Sequence, residues 1–194
     1  MSSAVRTIEI DRDASSAAFR SAMRHLAAGV SIVTVGRGKD ITGMTVTSLS
    51  SLSVDPPTLI VSINRASSSW PLLLRERFFG VNILTSDQID IAEKFNGKGG
   101  LKGAERFAGA QWMTRASGTP LLADALAAID CEVEDIMERH THGIVIGRVL
   151  DMQLSPRSAA LAYWQGQYVA IDQDEDALKL AEVSLPSARA LRKI

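Results

Sequence analysis

The stretch Gly43-Met44-Thr45-Val46-Thr47-Ser48-Leu49-Ser50-Ser51-Leu52-Ser53-Val54-Asp55-Pro56-Pro57 opens as a strand, dissolves into small hydroxyl residues, and restarts in extended form after a double proline. The segment before it, Val30-Ser31-Ile32-Val33-Thr34-Val35, is β-branched at most positions and predicts a strand. Between the two, Gly36-Arg37-Gly38-Lys39-Asp40 has the composition of a hairpin turn, so residues 41 to 48 are the returning strand. Further β-type runs fall at residues 58–64, 78–84, 128–138, 142–154 and 163–171, the fourth long enough to bend around a barrel. Helices are few and short. One follows Ser15-Ser16, with Phe19, Met23 and Leu26 on one face before Gly29. Others are expected near residues 70–75, over 86–95 with Ser86 as N-cap and Ile89, Ala92 and Phe95 spaced along it, and around 175–183. Strands that outnumber helices, with no regular strand–helix alternation, favour a mainly β (α+β) antiparallel barrel over a doubly wound parallel sheet.

The chain of 194 residues is long enough for one buried core and short for two domains. Residues 1–16 are expected to be a tail and 17–172 the domain; the acidic run Asp172-Gln173-Asp174-Glu175-Asp176 then sets off 173–194 as a helical appendage. At 46% hydrophobic and 22% charged, the composition is that of a folded protein. Lys and Arg number 21 against 22 Asp and Glu, a net charge of −1, which leaves no global field for nucleic acid or an anionic membrane. An anionic ligand must be held by local geometry, and with 5% aromatic residues there are few rings to stack on it. The N-terminus has no apolar stretch of signal-peptide length, and no segment approaches the roughly 18 apolar residues that cross a bilayer. The lone Cys131 sits in an alternating strand and is read as a buried, inert thiol; a soluble, reducing, cytoplasmic setting follows.

Several site motifs fail. The glycine loop Gly97-Lys98-Gly99-Gly100-Leu101-Lys102 lacks the register and the strand–helix setting of a Rossmann fingerprint, and no GxxxxGK[ST] loop occurs. His140 and His142, on one face if both lie in a strand, are an incomplete metal site, and none is assigned. What remains is two clusters of hydroxyls at strand ends. Thr45, Val46, Thr47, Ser48 and Ser51 form the first; Ser62, Asn64, Arg65, Ser67, Ser68 and Ser69 form the second, just before a helix start. Backbone amides and hydroxyls together suit a phosphate or the oxygen- and nitrogen-rich edge of a planar heterocycle, and a helix N-terminus attracts phosphate.

Taken in order, Phe19-Arg20-x-x-Met23, Gly29-Val30-x-Ile32-Val33-Thr34, Gly43-Met44-Thr45-Val46-x-Ser48, Ser51-x-Ser53-x-Asp55-Pro56-Pro57, Ser67, Phe79-x-Val81-Asn82-x-Leu84, Gln88, Ala92-x-x-Phe95, Arg106-Phe107, Trp112, Gly118-x-Pro120-x-Leu122, Cys131, Thr141-His142-x-x-x-x-Gly147-x-Val149 and Tyr163 resemble the short-chain flavin reductases, the reductase components of two-component flavin monooxygenases. The resemblance spans roughly residues 17–171. It implies an FMN-binding split β-barrel, usually a homodimer, that passes hydride from NADH or NADPH to FMN or FAD for a partner monooxygenase. It also implies that Thr45, Val46, Thr47 and Ser48 contact the isoalloxazine edge and ribityl chain, with Ser51 supporting the turn. Ser62, Asn64, Ser67, Ser68 and Ser69 would take the phosphate region, with Arg65 the nearest cation, and Phe95 and Lys98 would approach the flavin from the helix and the loop after it. His142 would meet the nicotinamide side, where alignment of two rings at about 3–3.5 Å matters more than acid–base chemistry. Tyr168 is a further nicotinamide-side candidate. Where such proteins often carry Gly-Asp-His, this chain has His140-Thr141-His142. Two other functions fit the same residues: reduction of a bound acceptor such as a corrinoid or ferric complex, and a carrier or sensor that holds flavin or haem without turnover.

Overall fold

A computed structural model describes residues 15–157 and 159–172. The segment read as a C-terminal helix, 175–183, and most of the N-terminal tail lie outside those residues. Helix α1 (Ser16–Met23) starts where Ser15 accepts a hydrogen bond from the Ala18 N–H at 3.2 Å. It stops short of Gly29, and none of its residues is buried. Strands β1 (Ala28–Gly29), β2 (Ser31–Arg37), β3 (Asp40–Val46), β4 (Ser50–Val54) and β5 (Pro57–Asn64) follow, then helix α2 (Ser69–Glu76), β6 (Phe78–Ile83) and helix α3 (Ile89–Phe95). Two 3₁₀ turns at Lys98–Gly100 and Gly103–Phe107 lead to β7 (Trp112–Thr114), β8 (Pro120–Leu122), β9 (Ala127–Arg139), β10 (His142–Leu154), β11 (Ala160–Trp164) and β12 (Gln167–Ile171).

The main sheet has seven strands in the order β3-β2-β6-β9-β10-β5-β4, antiparallel throughout. Its two outer strands, β3 and β4, are consecutive in the chain, joined only by Thr47, Ser48 and Leu49. A sheet whose edges are linked by so short a segment must curl until those edges meet. Ser48 holds the seam: its Oγ donates to the Ser62 carbonyl on β5 at 2.8 Å and accepts from the Ser62 N–H at 3.2 Å. A side chain thus stands where a backbone ladder would complete the closure, which is the physical meaning of a split barrel.

Both faces of the central strands are covered, so β2 is β-branched almost without interruption. Val33 and Val35 point into a barrel core with Val61, Ile63, Phe79, Val81, Cys131 and Val145. Val30 and Ile32 belong to a second core beneath α3, β7–β8 and the β1-β11-β12 sheet, with Phe95, Phe107, Leu121, Leu122 and Leu161. Glycines set the spacing at two contacts. A Cβ on Gly43 would lie 2.7 Å from Phe95 Cε1, and one on Gly143 would lie 2.6 Å from Trp70 Cζ3, so α3 and α2 sit directly on the sheet at these points.

Four sequence expectations need correction. Residues 50–54, read as part of a hydroxyl-rich turn, form edge strand β4, because they pair with β5 across the Asp55-Pro56 turn despite being largely exposed. Residues 163–171 are not one strand but the end of β11 and all of β12, reversed at Gln165 and Gly166, whose φ values of 53° and 83° suit a two-residue hairpin loop. Helix α3 begins at Ile89 rather than after a Ser86 cap, since Thr85 bridges Ala160 and Ser86 N–H donates to the Ala159 carbonyl. His140 does not share a strand face with His142; it occupies the β9–β10 turn at φ 51°.

Candidate functional site

The open seam creates the site. As an edge strand, β3 offers one row of backbone N–H and C=O groups that the sheet leaves unpaired. Beside it is a cleft of about 420 Å³ lined by Met44, Thr45, Val46, Thr47, Ser48, Ser62, Asn64, Ser67, Asn96 and His142. A second recess of about 210 Å³, lined by Val30, Thr45, Val46, Thr47, Asn96, Tyr163 and Tyr168, shares four of those residues. The 45–47 segment is thus flanked by space on both sides. The larger cleft has no carboxylate, ammonium or guanidinium in its lining, so it would recognise a ligand through neutral donors and acceptors.

Local structure fixes each contributor. The Thr45 hydroxyl donates to the Ala92 carbonyl at 2.5 Å, tying β3 to α3. The Asn64 side chain caps the turn after β5 by accepting from the Ala66 N–H at 2.9 Å, while its carbonyl accepts from Ser67 N–H. Pairing of β10 with β5 puts His142 opposite Asn64 and Ile144 opposite Ser62, which brings His142 to the cleft rim. Its Nδ1 lies 2.8 Å from the Thr141 hydroxyl, leaving Nε2 as the ring nitrogen without a hydrogen-bond partner among the described residues. Ser67 Oγ is buried with no hydrogen-bond partner among the described residues. An orphaned hydroxyl in a cleft wall is costly unless a ligand satisfies it, and here it adjoins the start of α2. Tyr163 and Tyr168 meet edge to face, ring centroids 5.4 Å apart, in the smaller recess; burial pushes the Tyr168 hydroxyl above its ordinary range, so it remains a donor.

Of the residues read from sequence, Thr45, Val46, Thr47, Ser48, Ser62, Asn64, Ser67 and His142 converge on one cleft, and Tyr168 joins through the recess. The others stand apart. Phe95 is 2% exposed and packs under β3 against Phe107 and Trp112, supporting the cleft from below. Lys98 is exposed and paired with Glu93, whose carboxylate holds its ammonium above the ordinary range. Arg65 is engaged by Glu138 at 2.6 Å and by the His140 carbonyl. Ser51 lies exposed on β4, Ser69 is buried inside α2, and Ser68 faces an adjoining groove. Sequence reasoning missed Asn96, which lines both spaces; its signal is its place at the end of α3, immediately before Gly97. It missed Val30, Met44 and Tyr163 as well.

Comparison with known proteins agrees with this geometry. The flavin reductase like domain matches residues 23–172, and the chain belongs to that family. It is 37% identical over 153 residues to FMN reductase (NADH) RutF 2 of Rhizobium rhizogenes (strain K84), covering 79% of this chain and 87% of the relative. Among solved structures, BorF, the flavin reductase component of a bacterial two-component tryptophan halogenase, superimposes with a TM-score of 0.75 at 31% identity, covering 81% of this chain and 99% of BorF. The NADH:FAD oxidoreductase SgcE6 of Streptomyces globisporus C-1027, in complex with NAD and FAD fragments, gives a TM-score of 0.74 at 26% identity over 81% and 93% of the two chains. The fold is the split barrel of flavin reductases.

Proposed function

We propose that the chain is an NADH-dependent flavin reductase that uses FMN as a dissociable substrate and hands the reduced flavin to a partner monooxygenase. The carrying observation is the charge-free cleft at the barrel seam, where unpaired β3 backbone, Ser and Asn groups and the orphaned Ser67 Oγ offer what an isoalloxazine edge, a ribityl chain and a phosphate need. The relative's activity as an FMN reductase that uses NADH supports the same reading. BorF, as the reductase half of a two-component system, supports a separate oxygenase as recipient.

In this reading the 45–48 segment orients the isoalloxazine, and Asn64, Ser67 and the start of α2 hold the phosphate. His142, aimed by Thr141, uses Nε2 to position the nicotinamide. The reaction moves a hydride, one proton with two electrons, from nicotinamide C4 to flavin N5, and a solvent proton completes the reduced flavin. The protein's contribution is alignment and exclusion of water. FAD and NADPH are the alternative substrates to set beside FMN and NADH. The working form is a homodimer: α1 with Phe19 and Met23, Leu52 and Val54 on β4, and Trp164 and Ile171 on β11–β12 present apolar side chains that a second copy would cover. A cytoplasmic location fits the buried Cys131 thiol, whose pKa burial pushes up. No helix among the described residues is long and apolar enough to cross a membrane.

Mixing the protein with NADH or NADPH and free FMN or FAD tests the proposal. NADH oxidation proportional to enzyme, fastest with FMN, is expected; no oxidation with any of the four pairs refutes it. A single light-scattering mass near that of one chain would refute the dimer alone.

A further inference from the structure

Beyond Ser67 the flavin cleft adjoins a groove of about 730 Å³ between the start of β3, the outer face of α2 and the 3₁₀ turn at Gly103–Phe107. Ser68 lines this groove while its neighbour Ser67 lines the cleft, so adjacent residues in front of α2 border the two spaces. The charge pattern changes at that step. Arg75, Lys102 and Arg106 face the groove against one carboxylate, Asp40, in a chain whose net charge is −1. Asp40 is already paired with Arg75. Lys102 has no ion-pair partner among the described residues. The Arg106 guanidinium, half-buried, donates to the carbonyls of Leu101 at 3.0 Å, Gly43 at 2.5 Å and Phe95 at 3.4 Å, and meets no carboxylate among the described residues. Thr42, 5% exposed, lines the same groove, and its Oγ1 is buried with no hydrogen-bond partner. Arg75 also pairs with Glu76 at 2.9 Å, which leaves Lys102 and Arg106 as the two cations of the groove without a carboxylate partner among the described residues; beside an orphaned hydroxyl they are the complement of a phosphate. Pro71 and Leu72 add an apolar floor, and the volume lies within the roughly 300–1,000 Å³ of small-molecule sites.

We propose that this groove is the subsite for the adenylate half of a flavin dinucleotide. It rests on the reading of the cleft as the flavin site: with the ring beside β3 and the first phosphate at Ser67, the extension FAD adds to FMN is directed past Ser68 toward Lys102 and Arg106. The second phosphate lies against these cations and Thr42 Oγ1, and the adenine rests on Pro71 and Leu72. The groove therefore sets the preference between FAD and FMN without touching the hydride-transfer geometry.

The test compares the KM for FAD with the KM for FMN, using NADH oxidation by the full chain, in wild type, Lys102→Gln and Thr42→Val. Lys102 is exposed, so its substitution leaves the fold intact, and thermal melting verifies the same for Thr42→Val. Loss of a charge-assisted contact in Lys102→Gln is expected to raise the FAD KM about tenfold more than the FMN KM. Thr42→Val is expected to shift the same ratio in the same direction. An equal rise for both flavins would assign the groove to the phosphate they share and overturn the proposal, as would an unchanged FAD KM. Failure of the wild type to reduce either flavin would instead overturn the reading of the cleft, and the subsite with it.

Discussion

The Thr141 hydroxyl lies 2.8 Å from Nδ1 of His142, a contact between adjacent residues at the start of β10 that leaves the far ring nitrogen facing the cleft rim. The Thr141 hydroxyl fixes the rotation of the neighbouring ring through this single contact. Replacing Thr141 with Val keeps the shape and removes the contact. A hydrogen bond worth about 1 kcal/mol predicts a roughly fivefold rise in the KM for NADH, restored by Thr141→Ser, with flavin affinity unchanged. Steady-state kinetics of the three proteins measure it; a change in flavin affinity instead would place Thr141 on the other side of the site.

His142→Ala is expected to slow flavin reduction by NADH at least about tenfold while leaving flavin affinity near that of the wild type, because alignment of the nicotinamide is lost and the 45–48 contacts are not. Fluorescence titration of flavin, alongside stopped-flow reduction under anaerobic conditions, separates the two effects. A large loss of flavin binding would contradict the placement.

Gly143 is held to glycine by Trp70. A methyl at this position would lie 2.6 Å from Cζ3 of an indole that is itself 6% exposed, so neither side has room to move. Gly143→Ala is expected to cost about 1–3 kcal/mol by overpacking. Denaturant unfolding reads this directly; an unchanged midpoint would show that α2 slides freely on the sheet.

Asp130, fully buried on β9, accepts hydrogen bonds from Ser117 N–H at 2.8 Å and Ser117 Oγ at 2.5 Å, and has no ion-pair partner among the described residues. It thereby pins the 115–119 turn ahead of β8. Asp130→Asn presents a donor where an acceptor is needed, at one of the two oxygens, and is expected to destabilise the fold by about 1–3 kcal/mol. Equal stability of the two proteins would mean that the turn finds other partners.

Much of the fold was legible because burial writes itself into the sequence. Strands covered on both faces, such as β2, carry a run of β-branched residues, and β10 repeats it over Ile144-Val145-Ile146. What escaped was set by pairing rather than composition. Strand β4, Ser50-Ser51-Leu52-Ser53-Val54, is largely exposed and becomes a strand only because β5 lies beside it. The β11–β12 hairpin hides its reversal in Gln165-Gly166, a weaker turn signal than Asn-Gly. The hydroxyl clusters on β3 and β5 were visible as composition, but that they face each other across an open seam follows from strand order alone. Phe95, expected to approach the flavin, is 2% exposed, packs beneath Gly43 and is not among the residues lining the cleft.

The central claim, that the barrel seam brings flavin and nicotinamide together, is tested most directly by anaerobic stopped-flow mixing of the protein and FMN with NADH. The account predicts loss of the oxidised flavin absorbance with one equivalent of NADH consumed per flavin, at a rate that saturates with NADH and falls in His142→Ala. Flavin that binds tightly and stays oxidised in the presence of NADH would contradict it.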